Sequence, residues 1–223
     1  MANNDDSFIR EVNDELRSEQ MNMVWRRFGR IIIGVAVLIV VGVAGYRGYE
    51  YWHDNNASAS GDRFLTALDL AGEKKNDEAL AAFTALEKDG TGSYPVLARL
   101  RVAALQAEKG DKPAAIESFK AIGNDASVQE IVRDVAKLRA AWLMVDTVPY
   151  DQISAETEVL TSDGHALRHS AREVLGLAAY KAGDMKRAKD WFSAITNAAD
   201  APRNVANRAQ IMLDNIAASG KAP

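Results

Sequence analysis

His165 and His169 stand four residues apart and close behind Asp163, and their types and spacing come nearest to chemistry in this chain. On a helix that spacing puts two imidazoles on one face, where they can share a metal ion. A zinc-hydrolase signature also needs a glutamate directly after the first histidine, and Ala166 occupies that place. The preferred reading is therefore an exposed helix start; His53 completes the set of three histidines. With no cysteine in the chain, thiol catalysis, cysteine-based zinc sites and disulfides are excluded. No phosphate-cradling glycine loop and no G-x-S-x-G is present. Acid pairs such as Asp77/Glu78 fall in polar turns. The expectation is a non-enzymatic protein without cofactor or metal.

The elements that must position any working residue begin with an apolar run. Residues 31–46, IIIGVAVLIVVGVAGY, are sixteen uncharged residues between Arg30 and Arg47. At about 1.5 Å per residue they span roughly 24 Å, somewhat short of a ~30 Å hydrocarbon core. Phe28 and Gly29 extend the run, and both arginines can bury their stems while lifting their charges to the interface. Trp25 and Phe28 stand at one end, with Tyr46, Tyr49, Tyr51 and Trp52 at the other, as a membrane–water boundary favours. A soluble core helix would show a polar face, and this run has none. Ala57-Ser58-Ala59 resembles a cleavage site, but thirty residues with six acids precede the run, unlike a signal peptide. A retained anchor is expected. The twenty residues before Ile31 hold four arginines and the twenty after Tyr46 hold two, which orients the N-terminus to the cytoplasm.

Three segments follow: a cytoplasmic amphipathic segment at 1–29, a transmembrane helix with its aromatic interface at 30–52, and an outer domain at 53–223. In the first, Phe8, Val12 and Leu16 recur at helical spacing, Met23 and Val24 carry the stripe on, and Ser7 is a plausible cap. This segment suits the membrane surface or a cytoplasmic partner. The outer domain has 21 basic and 24 acidic residues once the six arginines and seven acids of residues 1–52 are set aside. Such dispersed charge excludes a nucleic-acid surface.

The outer domain repeats. Ala79/Phe83/Leu86, Ala115/Phe119/Ile122 and Ala188/Phe192/Ile195 each place a small residue four positions before Phe and an aliphatic three after it. Asn76-Asp77, Gly110-Asp111 and Gly183-Asp184 mark the turn before each. This is an all-α helical hairpin repeat, in which small residues let paired helices approach. The 73 residues from Ala115 to Ala188 are about twice the 36 from Ala79 to Ala115, so a diverged unit, with Val148-Pro149 at its turn, lies between. Four hairpins are expected near 61–90, 94–124, 128–162 and 166–199, with a capping helix near 202–218 that starts at Pro202.

The last unit, EVLGLAAYKAGDMKRAKDWFSAI, is similar to the tetratricopeptide repeat: Leu175 and Gly176 fall at its Leu-Gly positions, Ala188 at its small one and Phe192 at its aromatic one. Arg172 and Ala179 depart from its Trp and Tyr. The order of parts, with the aromatic run YRGYEYW behind the span, resembles the YfgM-like family of ancillary SecYEG translocon subunits. That resemblance implies a non-enzymatic inner-membrane protein with a periplasmic tetratricopeptide-like domain. Its implied partners are the SecYEG translocon, a PpiD-like periplasmic chaperone, exported client chains and the lipid bilayer, with no nucleic acid. A chaperone-like role is implied, and a scaffold for another cell-envelope complex, of division or wall synthesis, is the alternative. In the repeat's phase, Phe64, Leu68, Leu97, Leu100, Ala104, Leu177 and Tyr180 would line a concave protein-binding groove. For each, packing within the stack is the competing expectation.

Overall fold

Gly110 and Gly183 have φ of +88° and +79°, a left-handed conformation that ends one helix and frees the chain for the next. An aspartate follows each. Asp111 accepts a hydrogen bond from the Ala114 N–H (3.1 Å) and Asp184 from that of Arg187 (2.9 Å), capping the new helix. The structure, a computed structural model, describes the backbone of residues 3–220 and the side chains of 25–31, 33–51 and 57–220. Every regular element among them is helical: α1 (Asn3–Gly72), α2 (Asn76–Asp89), α3 (Tyr94–Glu108), α4 (Lys112–Gly123), α5 (Glu130–Met144), α6 (Tyr150–Thr157, followed by a 3-10 turn, Glu158–Thr161), α7 (Arg168–Lys181), α8 (Met185–Thr196) and α9 (Arg203–Ala218).

The chain forms two units, residues 1–56 and 57–223. In the first, Trp25–Tyr51 is long and apolar enough to cross a membrane. Its described aliphatic side chains are exposed all round, Leu38 at 71%. The helix is already formed before Ser7, which corrects the expectation of a cap there: Asn3 begins it. The side chains of Phe8, Val12, Leu16, Met23, Val24, Trp52 and His53 lie outside the described residues.

The second unit pairs its helices into four hairpins: residues 57–72 of α1 with α2, through Ala67 and Phe64 against the Phe83 cluster, α3 with α4, α5 with α6, and α7 with α8, with α9 packed on α8. All three triplets are buried, with Phe83 and Phe192 fully so and Phe119 at 2%. Twelve residues before the small member of each triplet stands another buried small residue, on the first helix: Ala67, Ala103 and Gly176. At Gly176 a Cβ would come within 2.8 Å of the Phe192 ring. Close approach of backbone to ring is therefore what this position requires.

In the third hairpin the same register reads Ala141 on α5, then Ile153, Thr157 and Leu160, all buried. Here the small position carries Ile and the aromatic position carries Thr. The two volumes have changed places, and the Thr157 hydroxyl is left without a hydrogen-bond partner. The first hairpin departs at its turn. Lys74, with φ +62°, takes the left-handed place that Gly110 and Gly183 hold elsewhere. Lys75 N–H then donates to Leu70 C=O, as Asp111 does to Gln106 and Asp184 to Ala179. Asn76-Asp77, expected to mark that turn, instead opens α2, two residues later.

Three buried clusters run along the stack. One is centred on Phe83 and Leu86, a second joins Phe119 and Ile122 to Ile153, Leu160 and Val174, and the third holds Phe192, Ile195 and Ile216.

Candidate protein-binding groove

The buried small residue of each first helix faces its partner, so the residues on either side of it in the helical wheel are turned toward the next first helix. One position on, these are Leu68, Ala104, Trp142 and Leu177; three positions back, they are Phe64, Leu100, Leu138 and Glu173. All of them but Leu68 line three cavities that share walls. The first, of about 280 Å³, is formed by Phe64, Leu97, Leu100, Arg101, Ala104, Val135 and Arg139. Ala104, Val135 and Arg139 continue into the second, of about 590 Å³, which adds Phe119, Leu138, Trp142, Leu143 and Leu167. Trp142 in turn belongs to the third, of about 380 Å³, with Glu173, Leu177, Arg208, Ile211 and Met212. The result is one trough along the first helices and α9.

Of the residues that sequence phase assigns to this surface, Phe64, Leu97, Leu100, Ala104 and Leu177 line these cavities. Leu68 and Tyr180 do not. Leu68 packs against the Phe83 cluster, and Tyr180 against the Phe192 cluster. Phe64 also belongs partly to the core, edge-on to Phe83 at 5.3 Å. Sequence phase passed over Val135, Arg139 and Trp142, because α5 lies in the hairpin whose register was hidden. Ile211 and Met212 lie on α9, whose sequence marks it only as a cap. Trp142 at 38% exposure and Ile211 at 58% are the large apolar side chains the trough leaves open, with Leu97 at 38%.

Charge in the trough is specific. Glu173, buried among apolar neighbours, receives two hydrogen bonds from Arg208, Nε to Oε1 at 2.5 Å and a terminal nitrogen to Oε2 at 2.7 Å. This fork neutralises the carboxylate and raises the Arg208 pKa, chiefly through that hydrogen bonding. Arg101 and Arg139 are exposed and make no ion pair or hydrogen bond among the described residues.

The two histidines do not form a pair. Helix α7 begins only at Arg168, so His165 lies before it and the four-residue spacing is not helical. His165 Nδ1 accepts from Leu167 N–H (3.1 Å), which leaves the proton on Nε2 facing Asp134 (3.2 Å). His169 is buried at 6% exposure, a correction to the expected exposed helix start. Its Nε2 lies 3.3 Å from Asp200 Oδ1 without hydrogen-bond geometry, so both ring nitrogens lack a hydrogen-bond partner. Burial first, then the neighbouring Arg168 and Arg172 guanidiniums, lower its pKa and favour the neutral ring. Among the described residues no three metal-ligating side chains gather.

The outer side, made by the second helices, carries a polar hollow of about 500 Å³ between α6 and α8. Its groups largely satisfy one another. Trp191 Nε1 donates to Tyr150 Oη at 3.0 Å, and Arg187 stacks on the Tyr150 ring at 4.5 Å. A second outer hollow, of about 580 Å³, is confined to α2 and lined by Leu80, Ala81, Thr84 and Ala85 between charged residues. The apolar openings that join into one run lie on the first-helix side.

Residues 23–218 match the model of a family described as a tetratricopeptide repeat-like domain. The match starts ahead of Trp25–Tyr51, so it takes in the apolar helix together with all four hairpins and α9. No curated protein matches the chain.

Proposed function

The chain belongs to this tetratricopeptide repeat-like family, and from that premise we propose that it is a non-enzymatic, membrane-anchored protein that binds other proteins along the first-helix trough. Domains of this family generally bind protein partners and are typically non-catalytic. One observation carries the reading: three cavities that share walls open Leu97, Trp142 and Ile211 to a ligand in one continuous run, whereas the hollows on the second helices are separate, a polar one between α6 and α8 and one of about 580 Å³ confined to α2. A trough of this kind takes an extended or helical segment, whose apolar side chains fill successive openings.

The apolar helix is the anchor in this proposal. With residues 1–29 in the cytoplasm and 30–52 in the inner membrane, residues 53–223 work in the periplasm, as the arginine bias supports. The resemblance to the YfgM-like family supports the finer reading: an ancillary translocon subunit, associated with a PpiD-like chaperone, that receives exported chains. Protease added to spheroplasts should leave a small protected N-terminal fragment; a protected repeat domain would reverse the orientation. The affinity-tagged full chain, solubilised from membranes, should bring down translocon channel subunits or a periplasmic chaperone. The double variant Leu97→Ala, Trp142→Ala should lose most of that material while keeping its helical spectrum. Undiminished recovery with the double variant would remove the trough from the proposal.

A further inference from the structure

Arg101 and Arg139 both line the first cavity, and Arg139 continues into the second, so the pair stands at their joint. Six of the unit's other eight arginines are engaged by the chain's own carboxylates, among them Arg99 by Asp125, Arg168 by Asp200, Arg172 by Asp163 and Arg208 by Glu173; Arg133 and Arg203, which are not, lie outside the trough cavities. Arg101 and Arg139 have no such partner among the described residues. Two free guanidiniums on a concave apolar wall make a place for a carboxylate. Their planar forks match its two oxygens, and the low-dielectric wall strengthens the attraction.

The neighbours of this pair limit what can carry the carboxylate. Phe64, Leu97 and Leu100 open on one side, and Leu138, Trp142 and Leu143 on the other. A ligand that filled both openings would run past the arginines in both directions, so its carboxylate belongs to a side chain within the segment. Glu108, also in the second cavity and without a partner among the described residues, repels a further acid there.

We infer that the trough selects protein segments with an internal Asp or Glu flanked on both sides by large apolar residues. This rests on the reading of the trough as the protein-binding surface. The domain's near balance of 21 basic and 24 acidic residues offers an acidic ligand no general attraction, so an unpaired arginine pair at this joint stands out.

The test uses the full chain in nanodiscs of neutral lipid, with empty nanodiscs as the control. The probe is a short fluorescent peptide, amidated at its C-terminus, with one glutamate between two pairs of leucines; a second carries glutamine instead. The glutamate peptide should bind about tenfold more tightly, as a charge-assisted hydrogen-bond pair provides. The preference should narrow at high salt. The double variant Arg101→Gln, Arg139→Gln should bind both peptides alike, at the level of the glutamine peptide. Lys189→Gln, on the outer side, should keep the preference. Equal binding of both peptides by the unaltered chain, with both weakened by Trp142→Ala, would overturn the inference and leave the trough as the binding surface. A preference that survives the double arginine variant would also overturn it. Failure of both peptides to bind, or equal binding of both that is indifferent to Trp142→Ala, would overturn the inference and the trough together.

Discussion

In α2, α4 and α8 the buried positions carry nearly the same three residues, Ala, Phe and Leu or Ile, at the same spacing, and all are covered. The paired first helices share only one such position, the small residue at 67, 103, 141 and 176. Around it their side chains differ from hairpin to hairpin: Phe64, Leu100, Leu138 and Glu173 occupy one equivalent place, and Leu68, Ala104, Trp142 and Leu177 another. The second helices answer to packing alone, which demands a close crossing and a ring to fill it. The first helices meet that demand at this point, and α3, α5 and α7 also at Ala98, Ala136 and Ala171 five residues earlier; the positions around these shape a surface. Repetition thus marks the scaffold, and departure from repetition marks the face that works.

The comparison can be broken first at its tightest crossing. Gly176→Leu should drive side-chain atoms into the Phe192 ring and cost about 3 kcal/mol, since overpacking a filled core seldom costs less than about 1. Thermal unfolding of the full chain in nanodiscs should show the domain melting many degrees lower, whereas Leu97→Ala at the open face should barely move it. An unaltered melt for Gly176→Leu would mean the crossing is looser than 2.8 Å implies.

The exchanged volumes of the third hairpin offer the next test. Thr157→Phe should cost about 2 kcal/mol, because Ile153 already fills the space a ring needs. Adding Ile153→Ala should recover part of that loss, although neither residue is restored to its neighbours' exact shape. Thr157→Val should instead stabilise by about 1 kcal/mol, since it removes a buried hydroxyl with no partner. If Ile153→Ala worsens Thr157→Phe, the hairpins do not share one register.

A turn gives a smaller effect. Lys74→Gly should stabilise by roughly 1 kcal/mol, relieving a left-handed conformation that a side chain disfavours. Equilibrium urea unfolding would read it as a higher midpoint at constant slope. A lower midpoint would show that the turn draws something from the lysine side chain.

Acid should act more weakly and on the fourth hairpin. His169 has a folded pKa below its ordinary 6.5, so in acid the native state binds fewer protons than the unfolded one. Stability should be level above about pH 6.5 and fall as pH drops below it. His169→Gln should flatten that dependence, and Asp200 is too exposed and too occupied by Arg168 to reverse it. A dependence unchanged in His169→Gln would assign it to other groups.

Much of the scaffold was legible because its signal is periodic. Three triplets in phase, with Gly110-Asp111 and Gly183-Asp184 ahead of two of them, placed the hairpins within a few residues of their observed bounds. The first turn was misread because its left-handed residue is a lysine, while Asn76-Asp77 offered a more familiar turn composition two residues later. Hairpin three hid its register because Ile153 and Thr157 reverse the expected sizes. That concealment extended to the trough, where Trp142, 38 residues after Ala104 and 35 before Leu177, went unnoticed. Counting from the small residue of each first helix, and not from the triplets alone, would have found it. The unpaired state of Arg101 and Arg139 has no sequence signal, since pairing depends on which helices meet. His169 was misjudged for a related reason: the spacing to His165 suggested a helix start that lies three residues further on.

Site-specific photo-crosslinking in living cells tests the central claim most directly. Crosslinkers would be placed at Leu97, Arg139, Trp142 and Ile211 along the trough, and at Glu117, Ala121 and Lys189 on the second helices. The trough positions should capture the same partner proteins, in high yield, and share them along its length. The second-helix positions should capture little. Strong, shared products from Glu117, Ala121 and Lys189, with the four trough positions silent, would contradict the account and place recognition on the outer face of the stack.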